Sequence, residues 1–109
     1  MIRVTVYEHK KVPYGIALQG HAGAGSEGND IVCAAVSSAV YMAVNTVTDV
    51  IGVPTEIEVR DGYLKMVVST EVQAQCETIL RGLVLHLTAL AEQYPKNIHM
   101  KTCEEPVAR

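Results

Sequence analysis

Short stretches in which apolar residues alternate with polar ones, or run together between turn signals, predict five β-strands. The stretches are residues 2–7, 15–21, 55–60, 63–68 and 97–101. Polar residues 8–11 separate the first two stretches, which indicates a hairpin. Asp61-Gly62, between the third and fourth, is a strong signal for a second hairpin turn.

The longest uncharged stretch of the chain, residues 31–48, predicts the first helix. We expect this helix to begin at Asp30 as the N-cap residue and to run to about Val50. Gly52 and Pro54 then end it. Apolar residues surround most of the helix, so one face should pack on the sheet and another on a second element or a second subunit. We therefore predict a homodimer.

The same uncharged stretch could be a membrane span. Such a span needs about 20 mostly apolar residues, and polar residues such as Ser37, Ser38 and Asn45 interrupt this one. A helix buried in a soluble domain fits the pattern better, and we predict no membrane partner.

Apolar residues at helical spacing predict a second, amphipathic helix. Ser69 or Thr70 should cap its start, and Tyr94-Pro95 should end it. The predicted order is β-β-α-β-β-α-β, and strand pairs joined by turns imply a mainly antiparallel sheet packed with two helices. The fold class is therefore α+β.

Length and composition agree with one domain. The chain has 109 residues, 49% of them hydrophobic, so a core can form. Phe and Trp are absent, so aliphatic residues must fill that core. We assign residues 1–103 to the domain and residues 104–109 to a flexible C-terminal tail.

The charge of the chain limits the classes of binding partner, and its cysteine content indicates the cellular compartment. The net charge is -3 and the pI is near 5.7, which argues against direct nucleic-acid binding. The three cysteines form no CxxC pair, and the first strand begins at residue 2 without a targeting segment. We therefore predict a reducing, cytoplasmic location.

A cysteine and a histidine at the two ends of a glycine-rich loop are the candidate catalytic groups. With Asp30 as N-cap, Cys33 is the third helical residue, where the helix dipole favours a thiolate. His21 closes the second strand, and the loop could fold back to place its imidazole beside the sulfur. His21 would then act as general base and later as general acid.

The start of the helix could also hold the oxyanion of a tetrahedral intermediate. Its free amides, around Val32 to Ala34, are the candidate donors. Asp30 could cap the helix, orient the imidazole, or both, although a carboxylate close to the sulfur would raise the thiol pKa.

Simpler interpretations stay open on residue types alone. A cysteine in the first turn of an apolar helix is most often a buried hydrophobic residue. A histidine at a strand end is most often a surface residue. Cys76 falls on the apolar face of the second helix and is expected in the core, whereas Cys103 is expected to be exposed in the tail. We expect His9 and His99 on the surface.

The loop also matches the pattern G-x-G-x-x-G of dinucleotide sites, over residues 23–28. The flanking strands are predicted to be antiparallel, and Glu27 and Asp30 would repel a pyrophosphate. A nucleotide-binding domain is therefore a weaker hypothesis. No second pair of ligands has zinc spacing beside His21 and Cys33, so we predict no metal and no cofactor.

The loop resembles the signature of the ribosomal-processing cysteine protease family, Prp. Two segments carry this resemblance, Gly20-His21-Ala22 and Gly28-Asn29-Asp30-Ile31-Val32-Cys33-Ala34-Ala35-Val36-Ser37. The spacing from histidine to cysteine fits the family, and the element order is consistent with it over about residues 1–102.

The resemblance implies a homodimeric, cytosolic bacterial endopeptidase. Members remove a short N-terminal extension from a large-subunit ribosomal protein, number twenty-seven, and cut after an aromatic residue. The family's dyad maps onto His21 and Cys33, and its aspartate maps onto Asp30. The loop between the dyad residues is thought to move when substrate binds, and Gly23, Gly25 and Gly28 would permit that movement. The alternative is a non-enzymatic ribosome-associated module that binds its partner through this loop.

Overall fold

The structure is a computed structural model that describes the backbone of residues 1–20 and 27–104, and the side chains of residues 1–20 and 31–104. Its elements are β1 (Ile2–His9), β2 (Val12–Gln19), α1 (Glu27–Asn45), a π-helix (Thr46–Ile51), β3 (Thr55–Arg60), β4 (Tyr63–Val68), α2 (Gln73–Gln93) and β5 (Ile98–Glu104). The predicted α+β class and element order are confirmed.

The five strands form one sheet in the order β3-β4-β2-β1-β5. The pairs β1–β2, β2–β4 and β3–β4 are antiparallel, and β1–β5 is parallel, with Ile2 opposite Ile98. The prediction of a mainly antiparallel sheet is therefore confirmed. A parallel neighbour needs a long crossover, and here the crossover is most of the chain.

Both helices cover the same face of the sheet. Inward-facing aliphatic residues of the strands, such as Val4, Ile16 and Met66, form one core with Val36 of α1 and Leu87 of α2. All five are at most 1% exposed. Each strand turns alternate side chains to opposite faces, so one face of the sheet lies under helices and the other lies open. We call this second surface the open face.

Several boundaries differ from the predictions. Helix α1 begins at Glu27 rather than Asp30, so both acidic residues fall in its first turn, where negative charge complements the helix dipole. Helix α2 begins at Gln73, after a turn over residues 70–72, and no side chain caps it. Strand β5 extends to Glu104, beyond the predicted end at residue 101. Residues 105–109 lie outside the described residues.

The first helical segment ends in a π-helix instead of a regular last turn. The Thr46 hydroxyl donates to the carbonyl of Met42 at 2.7 Å, and this side-chain bond competes with the backbone pattern of the helix. Both Gly52 and Val53 donate their N–H groups to the Val47 carbonyl, at 3.0 and 3.3 Å. Gly52 is left-handed, with φ 77°, and ends the segment as predicted.

A buried glutamine joins α2 to the turn between β1 and β2. Lys10 and Lys11 form this turn with positive φ angles of 53° and 65°, a conformation that costs about 1–2 kcal/mol for each non-glycine residue. The amide of Gln73, which is 7% exposed, donates to the carbonyls of His9 at 3.1 Å and Val12 at 2.5 Å. These bonds hold both ends of the strained turn.

Residues Ile31–Ile51 form one helical segment that is long and apolar enough to cross a membrane, by length and composition, with a mean hydropathy of 1.6. The core helix of a globular protein passes the same test. About a third of the tested window, 33%, is buried against the rest of the protein.

Gly20 directly follows β2 and has a conformation that a side chain would disturb. Its φ is +95°, and a Cβ atom there would lie 2.5 Å from the Met1 carbonyl oxygen. We expect Gly20→Ala to lower the free energy of unfolding by about 1–2 kcal/mol, because L-residues disfavour this region. Urea denaturation monitored by circular dichroism measures the change.

Gly82 provides the matched control. It lies in the middle of α2, and an added Cβ would meet nothing within 4 Å. Gly82→Ala should therefore raise the free energy of unfolding by about 0.5–1 kcal/mol, since glycine weakens a helix interior. Equal stability of Gly20→Ala and the wild type would contradict our account of Gly20.

Candidate active site

A cleft of about 200 Å³ opens between α1 and the sheet, and Cys33 lies on its helical wall. Ser37 and Tyr41 follow Cys33 at intervals of four residues, so all three face the cleft from successive turns. The opposite wall includes Leu18 of β2 and Tyr63 of β4. The thiol thus borders a space that a side chain or short peptide can enter.

Cys33 is partly exposed, and it packs against the core through its inner side. Its neighbour Val32 is 2% exposed and anchors this part of α1 in the core, whereas Ala34 is exposed. The thiol therefore has a fixed backbone beneath it and access to solvent, which a nucleophile requires.

The chain reaches the same cleft from the end of β2. Gly20 lines the cleft together with Cys33, and its N–H donates to the Gly62 carbonyl at 2.8 Å. His21 follows Gly20 directly in the sequence. His21, Gly23 and Gly25 themselves lie outside the described residues. The position of Gly20 therefore marks where the chain leads into the loop that carries the histidine.

The earlier start of α1 corrects two predictions about the site. Asp30 lies in the first turn of the helix and is not its N-cap, and Cys33 is the seventh residue from Glu27 rather than the third helical residue. In a helix with this start, the four amides without intrahelical partners belong to residues 27–30, which include Gly28. The amides of Val32 to Ala34 are therefore not the free ones in this conformation.

The other two thiols lie away from the cleft. Cys76 is fully buried on the inner face of α2, and burial raises the pKa of its thiol, as expected for a core residue. Cys103 lies in β5 rather than in a loose tail, and is only partly exposed. It pairs in register with Tyr7, whereas the cleft lies at the Ile2 end of β1. All three described cysteines are thiols, without a disulfide.

Among the described side chains, those of residues 1–20 and 31–104, no three His, Cys, Asp or Glu groups lie closely enough together to hold a metal ion. His99 is exposed in β5, as predicted, and His9 at the end of β1 is partly buried.

Sequence reasoning missed the far wall of the cleft. Val59, Arg60 and Tyr63 line it from the β3–β4 hairpin, and the Arg60 guanidinium carbon lies 4.2 Å from the centroid of the Tyr63 ring. The spacing of Ser37 and Tyr41 after Cys33 was a usable signal for the helical wall. No local signal exists for the hairpin, because only the order of strands in the sheet brings it to Cys33.

Comparisons with known proteins agree with this arrangement. The family model of the cysteine protease Prp matches residues 1–99. The ribosomal processing cysteine protease Prp of Mycoplasma pneumoniae is 35% identical over 99 residues, which cover 90% of this chain and 91% of that protein. The Bacillus subtilis protein of the same name is 28% identical over 109 residues, covering 94% and 97%.

Solved structures share the fold. The SMU.848 protein of Streptococcus mutans superposes with a TM-score of 0.80 at 30% identity, over 96% of both chains. The processing protease Prp of Staphylococcus aureus, in complex with a covalently linked product peptide, gives a TM-score of 0.84 at 24% identity, over 94% of this chain and 100% of that one. A match of the family model over nearly the whole chain, with a relative above 30% identity, shows that this protein belongs to the Prp family of cysteine proteases and is a peptide hydrolase.

Proposed function

We propose that this protease removes the N-terminal extension from a bacterial large-subunit ribosomal protein, number twenty-seven, and cuts after an aromatic residue. The observation that carries the proposal is the cleft in which Cys33 and Gly20, the residue before His21, lie together. The names of the relatives give ribosomal processing as their activity. The resemblance of the loop supplies the particular substrate.

In this proposal Cys33 and His21 form the catalytic dyad. His21 takes the thiol proton as the Cys33 sulfur bonds to the scissile carbonyl carbon. When the carbon–nitrogen bond breaks, His21 gives the proton to the leaving amine. Water then hydrolyses the thioester, with His21 again as base, and releases the new carboxyl group. Asp30 has a supporting role, orienting the imidazole from the first turn of α1.

The oxyanion donors we propose are the backbone amides of Val32 to Ala34. Since α1 begins at Glu27, these amides become available only when its first turn opens on substrate binding. Gly23, Gly25 and Gly28 supply the backbone freedom that this change needs. Losing one such donor typically costs about 10²–10³ in rate.

The cleft itself supports a preference for an aromatic side chain. Its walls include apolar groups such as Leu18 and Val59, and two tyrosine rings, Tyr41 and Tyr63. Aromatic pairs in offset or edge-to-face arrangements add about 0.5–1.5 kcal/mol beyond area burial. A substrate ring would gain this from Tyr41 or Tyr63.

Cleavage of a peptide that spans the ribosomal-protein extension tests the dyad. We expect the wild type to cut it at one bond, after an aromatic residue. Cys33→Ala should lose all turnover, because no other described thiol lines the cleft. His21→Ala should lose turnover but keep peptide affinity, since it removes proton transfer and leaves the cleft. Mass spectrometry of the products and isothermal titration measure the two quantities.

Cys103→Ala is the control, because it removes a thiol in β5 away from the cleft. It should cleave at the wild-type rate. Equal cleavage by Cys33→Ala and the wild type would remove Cys33 as the nucleophile. Peptide binding without cleavage by the wild type would instead favour the accessory-module alternative.

We also propose that the protein acts as a homodimer in the cytoplasm, through the outer face of α1. Ile31 and Met42, eleven positions and thus about three turns apart, share this face, and they are 66% and 53% exposed. Val50 continues it in the π-helix at 79% exposure. Apolar side chains this exposed along one helical face are typical of an interface.

A charge on this face should shift the protein to a monomer. We expect Met42→Lys to weaken dimerisation by at least about tenfold, because it buries an unpaired ammonium group in the interface. Leu85→Lys is the matched control, since Leu85 is an exposed apolar residue of α2, at 73%. Sedimentation-velocity centrifugation gives both masses. A wild-type monomer at every concentration would overturn the dimer proposal.

A further inference from the structure

The open face of the sheet carries positive charge although the chain as a whole is acidic. Strand register places four cationic side chains on this face, Arg3, Arg60, Lys65 and Lys101, and two carboxylates, Glu56 and Glu58. The net charge of the face is therefore +2, against -3 for the whole chain. The carboxylates are confined to the edge strand β3, so the centre of the face is purely basic.

A shallow cavity of about 410 Å³ lies at the centre of this face. Arg3 and Lys101 line it, together with His99 and Gln19, and none of its described lining residues is acidic. Its floor includes the small residue Ala17. Neither Arg3 nor Lys101 forms an ion pair with any described residue, so both cations are available to an external anion.

Two tyrosines stand in the same face, each with a cation above its ring. Tyr7 and Tyr63 both line the cavity. The Lys65 ammonium nitrogen lies 5.0 Å from the centroid of the Tyr7 ring, and the Arg60 guanidinium carbon lies 4.2 Å from that of Tyr63. The Arg60 side chain is 63% exposed, and its Nε forms an ion pair with Glu58 at 3.0 Å. Unpaired bases stack on tyrosine rings and on guanidinium planes.

We propose that the open face binds single-stranded RNA. Arg3 and Lys101 hold phosphate groups, and bases stack against the Tyr63–Arg60 pair and the exposed part of Tyr7. The choice of RNA as the ligand rests on the proposed function, because a substrate that is a ribosomal protein is itself a partner of RNA. The face lies on the side of the sheet opposite the outer surface of α1, so RNA and a second subunit can be bound together. The Tyr63–Arg60 pair lies at the border of the face and also lines the Cys33 cleft.

The combination of charge and aromatic rings favours RNA over an acidic peptide. An acidic peptide would use the cations but would gain nothing from two rings placed beside them. The net charge of the chain argued against a nucleic-acid partner. That value is a sum over the whole chain, in which the acidic residues elsewhere outweigh the basic residues of this face. Steering and binding depend on the local distribution of charge.

The test is fluorescence anisotropy with a labelled single-stranded RNA of about twelve nucleotides, a length within the range of site sizes of single-strand-binding OB folds. The protein is the full chain. We expect binding by the wild type that weakens between about 50 mM and about 200 mM salt, because cations on the protein release counterions from the RNA.

The double variant Arg3→Glu/Lys101→Glu should bind the RNA at least about tenfold more weakly than the wild type. Its slope of log K against log salt should be shallower by about 1.4, which is the value for two phosphate contacts on a single strand.

The control is Lys10→Glu/Lys96→Glu, which makes the same change in net charge at two exposed turn residues. It should bind RNA within about twofold of the wild type. Both double variants should also cleave the extension peptide at the wild-type rate, which shows that they are folded. Peptide cleavage and RNA binding are measured separately, so failure of the proposed protease substrate and failure of the RNA site give different results.

Three outcomes would overturn the proposal. The first is no RNA binding by the wild type at the lower salt concentration. The second is equal weakening in both double variants, which would show that only overall charge matters. The third is competition by an oligoglutamate of equal length as effective as competition by unlabelled RNA, which would make the face a site for acidic peptides.

Discussion

The arrangement of this protein depends on burying one face of a five-stranded sheet with only two helices. Without Phe or Trp, the core is filled mainly by Val, Ile and Leu side chains, together with Tyr14, Met66 and Cys76, and both helices contribute to it from the same face. This leaves room for a cleft beside α1, where Cys33 lies. It also leaves the opposite face uncovered. The two surfaces that we connect with function are thus consequences of the same packing constraint.

The sequence predicted the local parts of the fold well. The β3–β4 hairpin has its predicted bounds, because Asp61-Gly62 fixes the turn and alternation fixes the strands. The predicted start of α1 at Asp30 was wrong. Asp30 is a good N-cap residue, but Glu27 also suits a helix N-terminus, and the sequence pattern does not show which of the two begins the helix. The order of the strands in the sheet could not be predicted from the sequence, since contacts between residues far apart in the chain determine it.

The same division applies to the site. The position of Cys33 beside a loop could be predicted from one run of sequence, because the glycine-rich loop and the helix start are neighbours in the chain. Arg60 and Tyr63 could not, because they reach the cleft through pairing of β4 with β2. The strained turn at Lys10 could not be predicted either. No residue near Lys10 in the sequence indicates the turn, and the buried Gln73 amide that holds the turn comes from α2.

The parallel pairing of β5 with β1 has a consequence for how the protein folds during its synthesis. Ile2 lines the cleft, pairs with Ile98, and donates its N–H to the Asn97 carbonyl at 2.7 Å. These partners are synthesised more than ninety residues after Ile2. Contacts between residues so far apart in the sequence carry a large loop-closure entropy and slow folding. A nascent chain therefore carries Cys33 well before it has a finished cleft, and the cleft is completed only when almost the whole domain has been made.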